Sequence, residues 1–424
     1  MRNTKQAAGR ALALCHALLS EQGEVSGRRV AAYALSAYQA LSPEARELFF
    51  DSLVTDFAPD PKEVDAGAAR YHADPSSANL IRLQAAVEPP RQELFRRANM
   101  APNGTAVLLD MRRELLKTLA AHPERAGLDA DLLHLFRSWF NRGFLVLQRI
   151  DWRTPAVILE RLIQYEAVHE IQGWRDLRRR LESDRRCYAF FHPAMPDAPL
   201  IFVEVALTEQ VPGAIAPLLA VDRQAVATER ARTAVFYSIS NTQRGLGGIS
   251  FGNFLIKQVV EELRRELPKL DTFVTLSPVP GFMPWLNKAT DVPVSDEDRV
   301  LLKQLDEPKW FDDAERTAQL RALLEPLAAY YFLKARTAKG RVIDPVARFH
   351  LGNGARLERI NWLGDLSPKG VRESAGVMVN YLYRLDDIEK NHEAYANDGE
   401  VVASSAVKKL LKGEGRRLLD MRLS

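Results

Sequence analysis

The stretch that most restricts the fold runs from Thr233 to Phe282. It opens with the β-rich run "TAVFYSIS" (233–240) and passes through a loop carrying Gly245, Gly247, Gly248 and Gly252. It continues as the amphipathic run "NFLIKQVVEELRRELP" and closes on "TFVTL" (272–276). Strand, loop, helix and strand in that order form a βαβ unit, in which the helix carries the chain back over the sheet so that the two strands lie parallel. The region is therefore α/β. Two further runs of β-branched and aromatic residues, "CYAFFH" (187–192) and "LIFVEVAL" (200–207), add strands and predict a mixed sheet.

The N-terminal third has another texture. Up to Phe140, apolar residues recur at three- and four-residue spacing, as in "AVLLDMRRELLKTLAAH" and "ADLLHLFRSWF". Ser42-Pro43-Glu44 supplies an N-cap, a proline at the first helical position and an acid in the first turn, and Asp60-Pro61-Lys62-Glu63 repeats the logic. Strand-like runs are absent there. The expected organisation is an all-helical domain over 1–140 and a sheet-containing domain over 141–424.

Composition removes several function classes. Of the 424 residues, 46% are apolar and 27% charged, as in soluble globular proteins. No apolar run reaches the roughly 20 residues of a membrane span, and the N-terminus lacks the apolar core and cleavage site of a signal peptide. A net charge of +3 is too mild for a dedicated nucleic-acid surface. Two cysteines, Cys15 and Cys187, exclude a disulfide scaffold or a Cys-rich zinc site, and a reducing cytoplasm is the expected compartment. None of the 8 histidines stands in His-x-x-x-His or His-Glu-x-x-His spacing, so no metal is expected. Arg178-Arg179-Arg180 with Arg185-Arg186 is the densest basic cluster; it reads as a solvated helix end, or else as a surface for a phosphorylated ligand.

Four local patterns have chemical potential. In the glycine-rich loop, backbone N–H groups can approach an anion, and the following helix N-terminus adds partial positive charge. The loop is neither a Walker A motif nor a dinucleotide fingerprint. It resembles the Gln/Arg-x-x-Gly-x-Gly/Ala pyrophosphate loop of GNAT-type acyltransferases, with Ile249 at the last small position; a purely structural turn is the alternative. In "TLSPVPGF" (275–282), two prolines and a glycine stop both helix and ladder and hold the Ser277 hydroxyl at a sheet rim, or simply stiffen a turn. His350 sits in "ARFHLGNGARL" among apolar residues, either as a satisfied core group or as a catalyst. Tyr381 and Tyr383, two residues apart in "GVMVNYLYRLDD", share one face of a strand.

Taken together, "VFYSISNTQRGL", "GNFLIKQVVEELRRELP", "LSPVPGF", "FHLGNGA" and "VNYLY" occur in this order in malonyl-CoA decarboxylases. With "GFLVLQRIDWRTPA" at the domain junction, the chain resembles that family over nearly its whole length. The resemblance implies an α+β or α/β architecture: an N-terminal helical bundle used for oligomerisation, then a GNAT-like mixed-sheet catalytic domain. It implies conversion of malonyl-CoA to acetyl-CoA and carbon dioxide, with Ser277 and His350 as catalytic residues. Gly247, Gly248, Ile249, Ser250, Phe251, Gly252 and Asn253 correspond to the acyl-CoA-binding turn, and Ser238 and Tyr383 to positions around the malonyl group. It further implies no cofactor beyond the CoA of the substrate, a homotetramer, and a bacterial cytoplasmic setting, since Arg422-Leu423-Ser424 is not a peroxisomal address. One departure is Ser250, where some members carry glutamate.

The residue types suit that chemistry. Malonyl-CoA is a β-carboxy thioester whose own carbonyl accepts the electrons released with carbon dioxide, so no external electron sink is required. A lysine or arginine on the carboxylate would stabilise the ground state, whereas hydroxyl donors orient it with less of that penalty. An ordinary imidazole, with a pKa near about 6.5, holds or delivers a proton around neutrality. His350 is thus expected to protonate the enolate carbon, with Ser277 as its hydrogen-bonded partner. A GNAT-type acyltransferase and a non-catalytic acyl-CoA-binding regulator are the competing readings.

Overall fold

The structure, a computed structural model, describes residues 2–21, 23–249, 255–288 and 294–411. Ser250, Phe251, Gly252 and Asn253 of the expected acyl-CoA turn lie outside the described residues. The chain forms two compact units. The first comprises Met1–Val146 with Phe191–Leu200 and Gln243–Phe251; the second comprises Leu147–Phe190, Ile201–Thr242 and Gly252–Ser424.

The first unit is helical, as its periodicity requires, with helices at Arg2–Ser20, Glu24–Gln39, Pro43–Thr55, Pro61–Ala73, Ser77–Val87, Pro90–Ala98, Gly104–Thr118 and Ala126–Trp139. Ser42 caps the third by accepting from Ala45 N, and Asp60 caps the fourth by accepting from Lys62 N at 2.9 Å. Apolar stripes meet in a core that includes Phe49, Phe50, Leu108, Leu115, Leu132 and Phe136.

The second unit is built on a mixed sheet. Its strands are β1 (Val146–Ile150), β2 (Arg185–Phe191), β3 (Ile201–Thr208), β4 (Thr233–Asn241), β5 (Thr272–Thr275), β6 (Ser277–Pro278), β7 (Arg356–Asn361) and β8 (Met378–Leu382). The order is β1-β2-β3-β4-β5-β8-β6, with β7 on β8. The helix Leu255–Glu266 buries Leu255, Ile256, Val259, Val260 and Leu263 along one stripe, and joins β4 to β5, which lie parallel. A helical bundle followed by a mixed sheet is the order the sequence texture requires.

Two irregularities in this sheet prepare a site. The ladder between β3 and β4 shifts register, pairing Val205 with Phe236 but Glu204 with Ser238, so Tyr237 is an inserted bulge residue. The parallel ladder between β4 and β5 covers only Thr233–Phe236 against Thr272–Thr275. Beyond it β4 runs on to Asn241 without β5, while the chain after β5 turns to β8. The sequence reading ended all ladders at the prolines of "TLSPVPGF". Instead, Ser277 and Pro278 form β6, opposite Val379 and Met378 of β8. Proline is accommodated because a short terminal strand does not call on its missing N–H.

The basic cluster also departs from expectation. Arg179, Arg180, Arg185 and Arg186 are buried. Arg179 pairs with Asp184 at 2.7 Å, Arg180 with Asp176 at 3.0 Å and Glu204 at 2.9 Å, Arg185 with Asp184 at 2.9 Å, and Arg186 with Glu266 at 2.8 Å. Only Arg178 of the five is exposed, lying over the Trp152 ring. Local acids, Asp176 and Asp184, together with the distant Glu204 and Glu266, turn the expected solvated end into internal ion pairs.

Candidate active site

Where β4 and β5 part, the second unit contains a cavity of about 500 Å³. Its wall includes Phe236, Ser238 and Asn241 of β4, Ser277 and Pro278 of β6, and Val346, Phe349 and His350 from the helix Pro345–Gly352. Ser277 is only 4% exposed, so it is buried in the cavity wall and does not stand out at a rim.

Ser277 and His350 meet although 73 residues separate them: Ser277 Oγ lies 3.1 Å from His350 Nε2. Ser277 donates its single proton to Thr275 Oγ1 at 2.9 Å. Its oxygen therefore accepts from Nε2–H, and Nδ1 is left to accept from the Tyr383 hydroxyl at 2.8 Å. Thr275 Oγ1 also receives the backbone N–H of Tyr381 at 3.0 Å, which fixes the acceptor itself. The Tyr381 ring stacks on the imidazole with centroids 4.7 Å apart. Tyr381 of β8 and Tyr383, which lies just past the end of β8 and not on it as the sequence pattern suggests, thus hold the imidazole by its plane and by its inner nitrogen.

Burial sets the protonation state. It pushes the His350 imidazole down to about 3, so the resting group is neutral with its proton on Nε2. The ordinary value used in the sequence reading does not apply to a side chain this enclosed. Burial likewise holds the Tyr383 phenol well above its ordinary range, keeping it a donor.

Asp344 ties the two halves of the pair together. It caps the His350 helix by accepting from Ala347 N at 2.8 Å, and reaches Gly281 N at 3.4 Å in the turn that follows Ser277. Gly281 is required there, because a Cβ would come within 2.3 Å of the Tyr331 hydroxyl.

Ser238 also lies on the wall, with its hydroxyl 2.7 Å from both oxygens of Glu166. Glu166, Thr275 and Asp344 were missed by sequence reasoning. Asp344-Pro345 had a visible cap signature. Thr275 stood inside a motif already singled out. Glu166 had no local signal.

In the first unit, the glycine loop packs on the helix Gly104–Thr118. A Cβ on Gly245 would lie 2.3 Å from Leu109 O, and Gly248 takes φ +79°. Arg112 donates to the carbonyls of Gly245 at 2.6 Å and Gly247 at 2.8 Å while pairing with Asp129 at 2.7 Å. The N–H groups of Leu246, Gly247 and Ile249 are spent on turns within the loop. Of the expected anion cradle, these three donors are therefore occupied.

Among the described residues, no group of three or more His, Cys, Asp or Glu side chains is arranged to hold a metal ion, and no helix is long and apolar enough to cross a membrane.

Comparison with known proteins agrees over both units. Residues 57–140 match the family described as malonyl-CoA decarboxylase N-terminal domain, and residues 143–421 its C-terminal domain. The crystal structure of malonyl-CoA decarboxylase from Rhodopseudomonas palustris is 56% identical with a TM-score of 0.91, covering 95% of this chain and 99% of that one. That from Agrobacterium vitis is 54% identical with a TM-score of 0.90 and the same coverage. The mitochondrial malonyl-CoA decarboxylase of Anser anser anser is 36% identical over 77% of this chain and 70% of its own length. The chain belongs to the malonyl-CoA decarboxylase family.

Proposed function

We propose that this protein decarboxylates malonyl-CoA to acetyl-CoA at the cavity between β4 and β6, with Ser277 and His350 as its catalytic pair. The observation that carries this reading is the 3.1 Å contact between Ser277 Oγ and His350 Nε2 on the wall of a cavity.

The proton balance gives each residue its task. Breaking the bond to the carboxylate releases carbon dioxide and sends the electron pair onto the thioester oxygen as an enolate; forming acetyl-CoA then takes up one proton. At rest His350 is neutral, because nothing offsets its burial. A malonyl carboxylate seated beside it supplies the missing negative charge, so anion and proton enter together. Loss of carbon dioxide leaves the imidazolium facing the enolate. His350 Nε2–H passes its proton to Ser277 as Ser277 gives its own to the carbon, leaving a neutral imidazole protonated on Nδ1, which exchanges its ring proton with solvent to regain the resting Nε2–H form before the next turn. Tyr383 turns its hydroxyl to accept from Nδ1 while the imidazole is charged, acting as a positioning residue through His350. Ser238 faces the malonyl group from β4. Gly247, Gly248 and Ile249, with the neighbouring Ser250–Asn253, are the proposed contacts of the CoA moiety. The thioester serves as the electron sink, so the proposal calls on no metal or organic cofactor. A cytoplasmic homotetramer, implied by the family resemblance, belongs to the same proposal and is tested by fractionation and sedimentation.

The test is incubation of purified protein with malonyl-CoA, following acetyl-CoA and carbon dioxide with and without an amine acceptor. Acetyl-CoA formation without acceptor supports the lyase. Product that forms only as an acylated amine, or no turnover at any pH, refutes it.

A further inference from the structure

Glu166 terminates the helix Ala156–Tyr165 and is buried. Among the described residues it has no ion-pair partner. Neutral donors hold its carboxylate: Val168 N and His169 N reach Oε1 at 2.8 Å each, Ser238 Oγ lies 2.7 Å from both oxygens, and Ser240 Oγ lies 3.1 Å from Oε2. Arg180, the cation buried nearby, is committed to Asp176 and Glu204. Lys369 Nζ bonds the carbonyl of Ala167 and not the carboxylate. His169 is neutral, since burial lowers it to about 4, with Asp365 opposing the shift. Glu204 adds further negative charge when ionised, burial having raised its carboxyl to about 7. A buried carboxylate without a counter-ion is costly, and only neutral donors offset that cost here. This one stands directly behind a cavity wall, because Ser238 and Val168 both line the space that Ser277 and His350 share.

A serine hydroxyl has one proton, and that of Ser238 is held by Glu166. What Ser238 offers the cavity is its lone pairs, the reverse of the donor role that orienting a carboxylate would need. We infer that Glu166 is a positioning residue of the reaction: by holding the Ser238 proton it makes this wall acceptor-only, so that it repels the malonyl carboxylate and tolerates neutral carbon dioxide. The inference rests on the decarboxylase reading. Repulsion acts while the charge resides on the carboxylate and fades as it moves to the thioester oxygen, which lowers the barrier between the two.

Glu166→Gln tests this with little change of shape. The amide oxygen can still accept from Val168 and His169, while the amide N–H donates to Ser238 Oγ and turns the serine proton towards the cavity. Malonyl-CoA should then bind more tightly and react more slowly, with KM and kcat each falling about tenfold, the scale of one hydrogen bond to a charged group. The dissociation constant of acetyl-CoA, which lacks the carboxylate, should not move. Unchanged kinetics, or equal changes for malonyl-CoA and acetyl-CoA, overturn the inference and leave Glu166 as a loop anchor. A second test compares two ligands in the same protein: the preference for malonyl-CoA over malonamoyl-CoA, whose neutral amide replaces the carboxylate, should rise about tenfold from wild type to Glu166→Gln, and an unchanged ratio contradicts the proposal. Absence of wild-type turnover would refute the decarboxylase reading itself, whereas normal wild-type turnover with an unmoved Glu166→Gln refutes only the role of Glu166.

Discussion

Thr275→Val removes one oxygen and almost no volume, and the hydrogen bonds around it define what should follow. Thr275 Oγ1 is the acceptor for both the Ser277 proton and the Tyr381 N–H. Tyr381 is 1% exposed, so its N–H would be left buried without an acceptor, at a cost of about 1–3 kcal/mol. The lost Ser277 bond adds about 1 kcal/mol, for a total of roughly 2–4 kcal/mol and a fall of several degrees in Tm. The kinetic effect should be larger. Without its acceptor, the Ser277 hydroxyl turns towards His350 Nε2, which must then give up its proton. The imidazole proton shifts to Nδ1, opposite a Tyr383 hydroxyl that now has to reorient. A catalytic imidazole in the wrong tautomer loses rate heavily, and kcat should fall about 10²-fold or more. Thr275→Ser, which restores the hydroxyl, should stay within about threefold of wild type. Acetyl-CoA production at saturating malonyl-CoA gives kcat, thermal melting gives stability, and ¹⁵N shifts of the imidazole report which nitrogen is protonated. Wild-type kcat in Thr275→Val, or an imidazole tautomer unchanged from wild type, would refute the reasoning.

Stability should depend on the two buried histidines with a definite sign. His350 is lowered to about 3 and His169 to about 4, both chiefly by burial, so the unfolded chain binds the extra protons. Their contribution is complete above about pH 6.5 and is lost as pH falls towards those values; replacing either by Gln should reduce the slope by about 1.4 kcal/mol per pH unit within its window, measured by urea unfolding. Asp344→Ala removes the cap of the His350 helix and the tie to Gly281. It should lower stability by about 2–3 kcal/mol and kcat by at least about tenfold, whereas a kinetically silent variant would show that the tie does not position the pair. Arg112→Leu deprives the carbonyls of Gly245 and Gly247 of their donor, and acyl-CoA affinity by calorimetry should fall about tenfold. Unchanged affinity would detach that loop from CoA binding.

The broad architecture was legible because it depends on periodicity and punctuation. Three- and four-residue spacing before Phe140, and strand, glycine loop, helix and strand after Thr233, dictate a bundle and then a parallel pair within a sheet. The motifs around Ser277 and His350 were also visible, although only the fold could bring them to 3.1 Å. What the sequence hid depends on partners far along the chain. Arg180 looks solvated until Glu204 of β3 lies against it, and Glu166 looks ordinary until Ser238 and Ser240 of β4 converge on it. His350 looks titratable near neutrality until an enclosing wall displaces its water. The prolines after Ser277 were read as the end of a ladder, yet β8 offers a partner that needs nothing from Pro278 N.

The central claim is that Ser277 and His350 deliver one proton to the carbon that loses carbon dioxide. The most direct measurement is turnover of malonyl-CoA in D₂O by wild type and by His350→Ala, with mass analysis of the product. Wild type should yield carbon dioxide and acetyl-CoA carrying one solvent deuterium in its methyl group. His350→Ala should retain CoA binding but turn over slower by about 10²-fold or more. Wild-type rates of singly deuterated acetyl-CoA from His350→Ala would contradict the claim.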